Sequence, residues 1–165
     1  MDAFLFIFFM IGYLQKYITR YNYDRERRKY HHKVEVNLLI DESEINDYLG
    51  EAKKLILDGK FRIALNSNRL TDLSLFDEYL INEESVKSIL LNLTVYDFCE
   101  KVQNKHANFN HEWLYVFGKE IDLIKRFEEK SEMVPLYIKF NKIEDKFLIV
   151  VSFHKQKYPL VYYFQ

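Results

Sequence analysis

Cysteine is almost missing from this chain of 165 residues: Cys99 stands alone, so the sequence holds no intrachain disulfide framework and no thiol cluster for structural zinc. Glycine occurs 4 times and proline 2 times, too seldom for a collagen-like or linker-rich architecture. An excess of one charge is missing too. The 24 basic and 25 acidic side chains leave a net charge of -1, and no global basic field announces a nucleic-acid binder. What is present is a globular balance, 48% hydrophobic and 30% charged, which argues against disorder and for one domain with a sizeable core. Aromatic residues reach 17%, with 14 Phe and 13 Tyr, so rings are expected to fill much of that core.

The balanced total hides an uneven distribution. Residues 1–33 carry seven Lys/Arg against three Asp/Glu, residues 34–133 carry 12 against 20, and residues 134–165 carry five against two. The basic C-terminal stretch offers positive charge for an anionic ligand, or simply solvated lysines that keep strand edges from aggregating.

Ala3 to Leu14 is almost wholly apolar, but falls short of the roughly 20 residues of a spanning helix. Asp2 precedes the run and Lys16, Arg20, Arg25, Arg27, Arg28 and Lys29 follow it, the reverse of a secretory signal. Four readings stay open: a marginal anchor with its positive flank inside, an amphipathic interfacial helix, a first core helix, or a start codon placed too far upstream. Tyr21 to Lys33 reads as a polar, basic connector, in which the pair His31-His32 lacks partners for a metal site. Residues 1–40 are therefore taken as an apolar and then basic extension, and residues 41–165 as the folded domain.

Within that domain helices precede strands. Asp41 or Ser43 caps a predicted helix running to about Asp58, with Ile45, Tyr48, Leu49, Ala52, Leu55 and Ile56 at helical spacing and Gly59 at the left-handed C-cap position. Phe61 to Leu65 alternates as a short strand. Leu70 to Leu80 and the stretch after Asn82 read as helices. Thr94 and Asp97 approximate a capping box and predict a further helix through Val102. Glu112–Ile121 and Val134–Asn141 alternate as strands, with Trp113, Tyr115, Phe117 and Lys119 on one face. Phe147–Phe153 is continuously apolar, as in a central strand covered on both faces, after a turn at residues 143–146. Pro159 puts Leu160–Phe164 on a sheet edge. The expected class is α+β, helices packed against an antiparallel meander.

Several segments carry a resemblance jointly: Leu93-Thr94-Val95-Tyr96-Asp97-Phe98, Glu112-Trp113-Leu114-Tyr115-Val116-Phe117-Gly118-Lys119-Glu120-Ile121, Leu136-Tyr137-Ile138-Lys139 and Phe147 to His154, preceded by Ala52 to Lys60. Their order and spacing over about residues 41–155 resemble the MqsR family of toxin–antitoxin mRNA interferases. The resemblance implies a RelE-like fold, a small antiparallel sheet with helices on one face. It also implies metal-independent cleavage of single-stranded mRNA, a cytoplasmic location and a cognate antitoxin as protein partner. In that reaction the ribose 2′-OH attacks the adjacent phosphorus and leaves a 2′,3′-cyclic phosphate and a 5′-OH. It needs a base, an acid and cations, and no cofactor.

Carried over residue by residue, the resemblance makes Tyr137, Lys139 and His154 the catalytic candidates. Tyr137 and Lys139 are two apart in a strand and so share a face. A histidine's ordinary pKa of about 6.5 suits proton transfer near neutrality. Lys101, Lys119 and Lys155 are the RNA-binding candidates: Lys155 as neighbour of His154, Lys119 as a residue that joins Lys139 if their strands pair, and Lys101 one position away from a family lysine. His111, Glu112 and Lys119 form a further candidate set, with Glu112 as its base. Leu114 stands where the family has a polar amide. None of His31, His32, His106, His111 and His154 belongs to a dense ligand signature, so no metal is expected. Against the nuclease stand a nonenzymatic RelE-like module that binds RNA or protein, and a membrane-peripheral protein acting through its Phe-rich N-terminus.

Overall fold

The computed structural model describes residues 40–64, 70–128, 130–144 and 146–165. The N-terminal apolar run and its basic connector lie outside these residues, as does Leu65. Residues 40–165 form one compact unit.

The first helix of the described residues, α1 (Glu42–Leu57), starts where Asp41 accepts a hydrogen bond from the Ser43 amide at 3.3 Å. It stops at Gly59, whose φ of 69° only glycine adopts without strain. There the Lys60 amide donates back to the Leu55 carbonyl and the Gly59 amide to the Ile56 carbonyl, satisfying two end carbonyls. The chain leaves directly into β1 (Phe61–Ile63), then α2 (Leu70–Glu78) and α3 (Glu83–Leu91). Asn82 caps α3 reciprocally with Ser85. Four long strands follow: β2 (Phe98–Gln103), β3 (Trp113–Ile124), β4 (Ser131–Ile143) and β5 (Phe147–Lys155).

The sheet order is β1-β5-β4-β3-β2. The last four strands make the expected antiparallel meander, but β1 pairs with β5 in parallel, so the sheet is mixed. The long connection through α2, α3 and the meander allows that parallel return, which a short turn could not. Among the described residues the class is α+β, a five-stranded mixed sheet with three helices.

One face of the sheet carries Tyr115 and Phe117 of β3, Leu136, Ile138 and Phe140 of β4, and Leu148, Val150 and Phe153 of β5. All join the core cluster that α1, α2 and α3 complete with Ile45, Ile56, Leu75, Val86 and Leu90. Aromatic rings organise it. Phe117 stacks on Phe140 at 4.9 Å, Tyr48 stacks on Tyr115 at 3.6 Å, and Phe98 meets Phe117 edge-on.

The structure corrects three element readings. Thr94 and Asp97 do bond reciprocally, the Thr94 amide donating to Asp97 at 2.7 Å, but they cap only the single 3-10 turn Val95–Asp97. Phe98 onward is strand β2, because pairing with β3 and burial of Phe98 outweigh the local helix signal. The run Phe147–Phe153 is not equally covered on both faces. Leu148 and Val150 are buried while Phe147, Ile149 and Val151 are half-buried, and a register shift opposite Lys139 and Phe140 then makes Phe153 the next residue on the core face, while Ser152, also buried, lies opposite Lys139 on the other face. Leu160–Phe164 is no edge strand. It crosses the second face of the sheet, where Leu160 and Tyr162 fill the space over Gly118 and the Tyr163 amide donates to the Phe98 carbonyl at 2.9 Å.

Among the described residues no helix is long and apolar enough to cross a membrane.

Candidate functional site

Strand register decides which candidates meet. Tyr137 of β4 lies directly opposite His154 of β5, and Lys139 opposite Ser152. The same pairing places Gly118 opposite Tyr137 and Val116 opposite Lys139 across β3. Tyr137, Lys139 and His154 therefore share the face away from the helices. Their rings and charge touch: Tyr137 and His154 stack with centroids 5.0 Å apart and 13° between planes, and the Lys139 ammonium sits 5.8 Å from the Tyr137 ring centroid. All three are half-buried. His154 Nδ1 lies 2.7 Å from the Lys155 carbonyl oxygen. A carbonyl only accepts, so Nδ1 carries the hydrogen in the neutral ring and Nε2 is its basic nitrogen.

The other three lysines are elsewhere. Lys119 lies opposite Leu136, on the helix-covered face, so it does not join Lys139. Its ammonium pairs with Asp97 at 2.8 Å, and both side chains are largely buried. Lys155, one residue beyond His154 in an alternating strand, also points to the helix side. It bridges both carboxylate oxygens of Glu78 at 2.9 Å and covers the Tyr79 ring. Lys155 belongs to a network that closes the end of α2. The buried Tyr79 hydroxyl donates to Glu132, and Arg126 donates to the carbonyls of Phe76 and Asp77. Burial pushes the Tyr79 phenol up, helped by Glu132, whereas the hydrogen bond from Tyr79 holds the Glu132 carboxyl below its ordinary range.

Lys101 sits at a cleft of about 580 Å³, at the end of the sheet where β3 begins and β4 finishes. Its ammonium pairs with Glu44 at 3.1 Å and lies over the rings of Trp113 and Tyr115, at 5.6 and 5.1 Å from their centroids. Burial works against that charge, but Tyr115 and Glu44 outweigh it and raise the lysine above its ordinary value. His111 and Glu112 line the same cleft. Glu112 Oε2 accepts from both Asn104 at 3.1 Å and Asn141 at 3.0 Å.

Two further residues escaped sequence reading. Asn141 follows Lys139 by two and so continues its row; parity alone could have found it. Tyr162 reaches the row from the tail, its hydroxyl 2.9 Å from where a Gly118 Cβ would stand, and no local signal announces that crossing. Among the described residues no three His, Cys, Asp or Glu side chains are grouped to hold a metal ion.

Compared with known proteins, the chain matches no family model, no curated protein and no solved structure.

Proposed function

We propose that this protein is a metal-independent endoribonuclease of the MqsR-like, RelE-related kind, cleaving single-stranded mRNA by attack of the ribose 2′-OH on the adjacent phosphorus. The observation that carries this reading is the stacked pair Tyr137–His154 with Lys139 beside it. His154 takes the 2′-OH proton on Nε2 while the O2′–P bond forms. The Tyr137 hydroxyl gives a proton to O5′ as the P–O5′ bond breaks, and Lys139 balances the charge that builds on the phosphorane. The products are a 2′,3′-cyclic phosphate and a 5′-OH. A small antitoxin protein that blocks this face in the cytoplasm belongs to the same proposal.

The experiment is incubation of purified protein with single-stranded RNA in EDTA, followed by mapping of product ends. Cyclic phosphate and 5′-OH ends are expected. A 3′-OH with a 5′-phosphate, or cleavage that vanishes with EDTA and returns with zinc or magnesium, would defeat the mechanism. The ion pairs of Lys101, Lys119 and Lys155 favour one second reading, an RNA- or protein-binding module without turnover. It would show salt-sensitive RNA binding with intact RNA.

A further inference from the structure

The cleft beside Trp113 has features that the proposed cleavage does not use. Trp113 is 49% exposed and Phe109 46% exposed, although both rings are large and apolar. Each lines the cleft, as do Lys101 and Glu112. Glu112 is held by two amides that converge on a single oxygen, Oε2, and one of them, Asn141, is 7% exposed. Oε1 is thus a positioned acceptor beside an aromatic platform, with the Lys101 ammonium over that platform's ring. Aromatic faces of this kind stack unpaired bases, and a carboxylate accepts from a base's exocyclic amino group.

Asn141 joins the cleft to the cleavage row at the end of β4, whereas Trp113, Tyr115 and Lys101 reach the cleft from the helix-covered face. Tyr137, Lys139 and Asn141 alternate along one face of β4, and from Tyr137 to Asn141 the strand rises about 13 Å. Two nucleotides of an extended single strand cover that distance.

We propose that this cleft is a nucleobase subsite for single-stranded RNA. A base stacks on Trp113 and donates its exocyclic amino hydrogen to Glu112 Oε1, so adenine, cytosine and guanine are accepted and uracil, which has no amino group, is disfavoured. The subsite rests on the reading of the protein as an RNA-handling enzyme, but its test requires no cleavage.

Trp113 is the sole tryptophan of the chain, so its fluorescence reports on the cleft alone. The full chain is titrated with short homopolymers of A, C and U, and binding is measured in parallel by calorimetry. Quenching by A and C is expected with affinity about tenfold or more above that for U. Glu112→Gln keeps an oxygen for Asn104 and Asn141 but presents an amide donor to the cleft, which should reverse the preference toward U, whose O4 accepts. Trp113→Ala, at a half-exposed position, should weaken calorimetric binding of every homopolymer about tenfold or more while the melting curve stays cooperative. Equal affinity for the three homopolymers, or a preference unchanged in Glu112→Gln, overturns the subsite. Cleavage without quenching would remove the subsite and leave the reaction. Amino-selective quenching without cleavage would leave the subsite and remove the reaction.

Discussion

His154 and Tyr137 illustrate how one residue's placement carries both orientation and chemistry. The Lys155 carbonyl holds Nδ1 of His154, and the Tyr137 ring stacks on the imidazole, so few ring orientations remain. His154→Ala and Tyr137→Phe should fold normally and cleave about 10²–10⁴-fold more slowly, measured in single-turnover assays. Lys139→Ala should bind RNA less tightly, with a salt slope shallower by about one unit. Full activity in all three variants would put the chemistry on another surface. Glu132 makes a different single-residue prediction. Its carboxyl is held low chiefly by the Tyr79 hydroxyl, so its contribution to stability is complete above the ordinary value of 4.5 and is lost as the pH falls through the lower folded-state value. Melts taken from pH 7 down to pH 3 should show a fall in Tm that Glu132→Gln flattens. An unchanged profile in that variant would separate Glu132 from acid stability.

At the scale of elements, the contacts of the C-terminal tail govern the second face of the sheet. A Cβ at Gly118 would stand 2.7 Å from Leu160 Cδ1 and 2.9 Å from the Tyr162 hydroxyl, both closer than side-chain atoms tolerate. Gly118→Val should therefore push the Leu160 and Tyr162 side chains aside and loosen the tail, at a cost of about 1 kcal/mol, the low end of overpacking losses. For a chain of this size that lowers Tm by about 2–4 °C per kcal/mol. Limited proteolysis should then cut after Lys157 faster than in the parent protein. Because Gly118 lies opposite Tyr137, cleavage activity should fall as well. A Val variant with the parent's Tm and proteolysis rate would mean that the tail does not depend on this glycine.

For the molecule as a whole, the core cluster draws its members from all three helices and from strands β2 to β5, within residues 40–165. A fragment comprising those residues should melt cooperatively, by circular dichroism, within a few degrees of the full chain. If it stays unfolded while the full chain melts, residues 1–39 contribute to the core. Membrane fractionation of the two forms tests the N-terminal run directly: attachment through that run should disappear with the fragment.

Local signals alone located α1, its cap at Asp41 or Ser43, its Gly59 stop and the alternation of β3 and β4, because each of these depends on residues within a turn or a strand of one another. Parity likewise put Tyr137 and Lys139 on one face of their strand, and Trp113, Tyr115, Phe117 and Lys119 on one face of theirs. What parity cannot supply is the register between strands. Only the pairing of Tyr137 with His154 and of Lys119 with Leu136 decided that His154 meets Tyr137 and that Lys119 faces the helices. The same holds for Thr94–Val102, where a capping box is a local signal and the strand it precedes exists only because β3 lies alongside. The parallel return of β1, the tail over Gly118 and the convergence of Asn104 and Asn141 on Glu112 join residues far apart in the chain. Their energy comes from burial and hydrogen bonds that form only once the sheet has closed, and so the tertiary structure alone decided them.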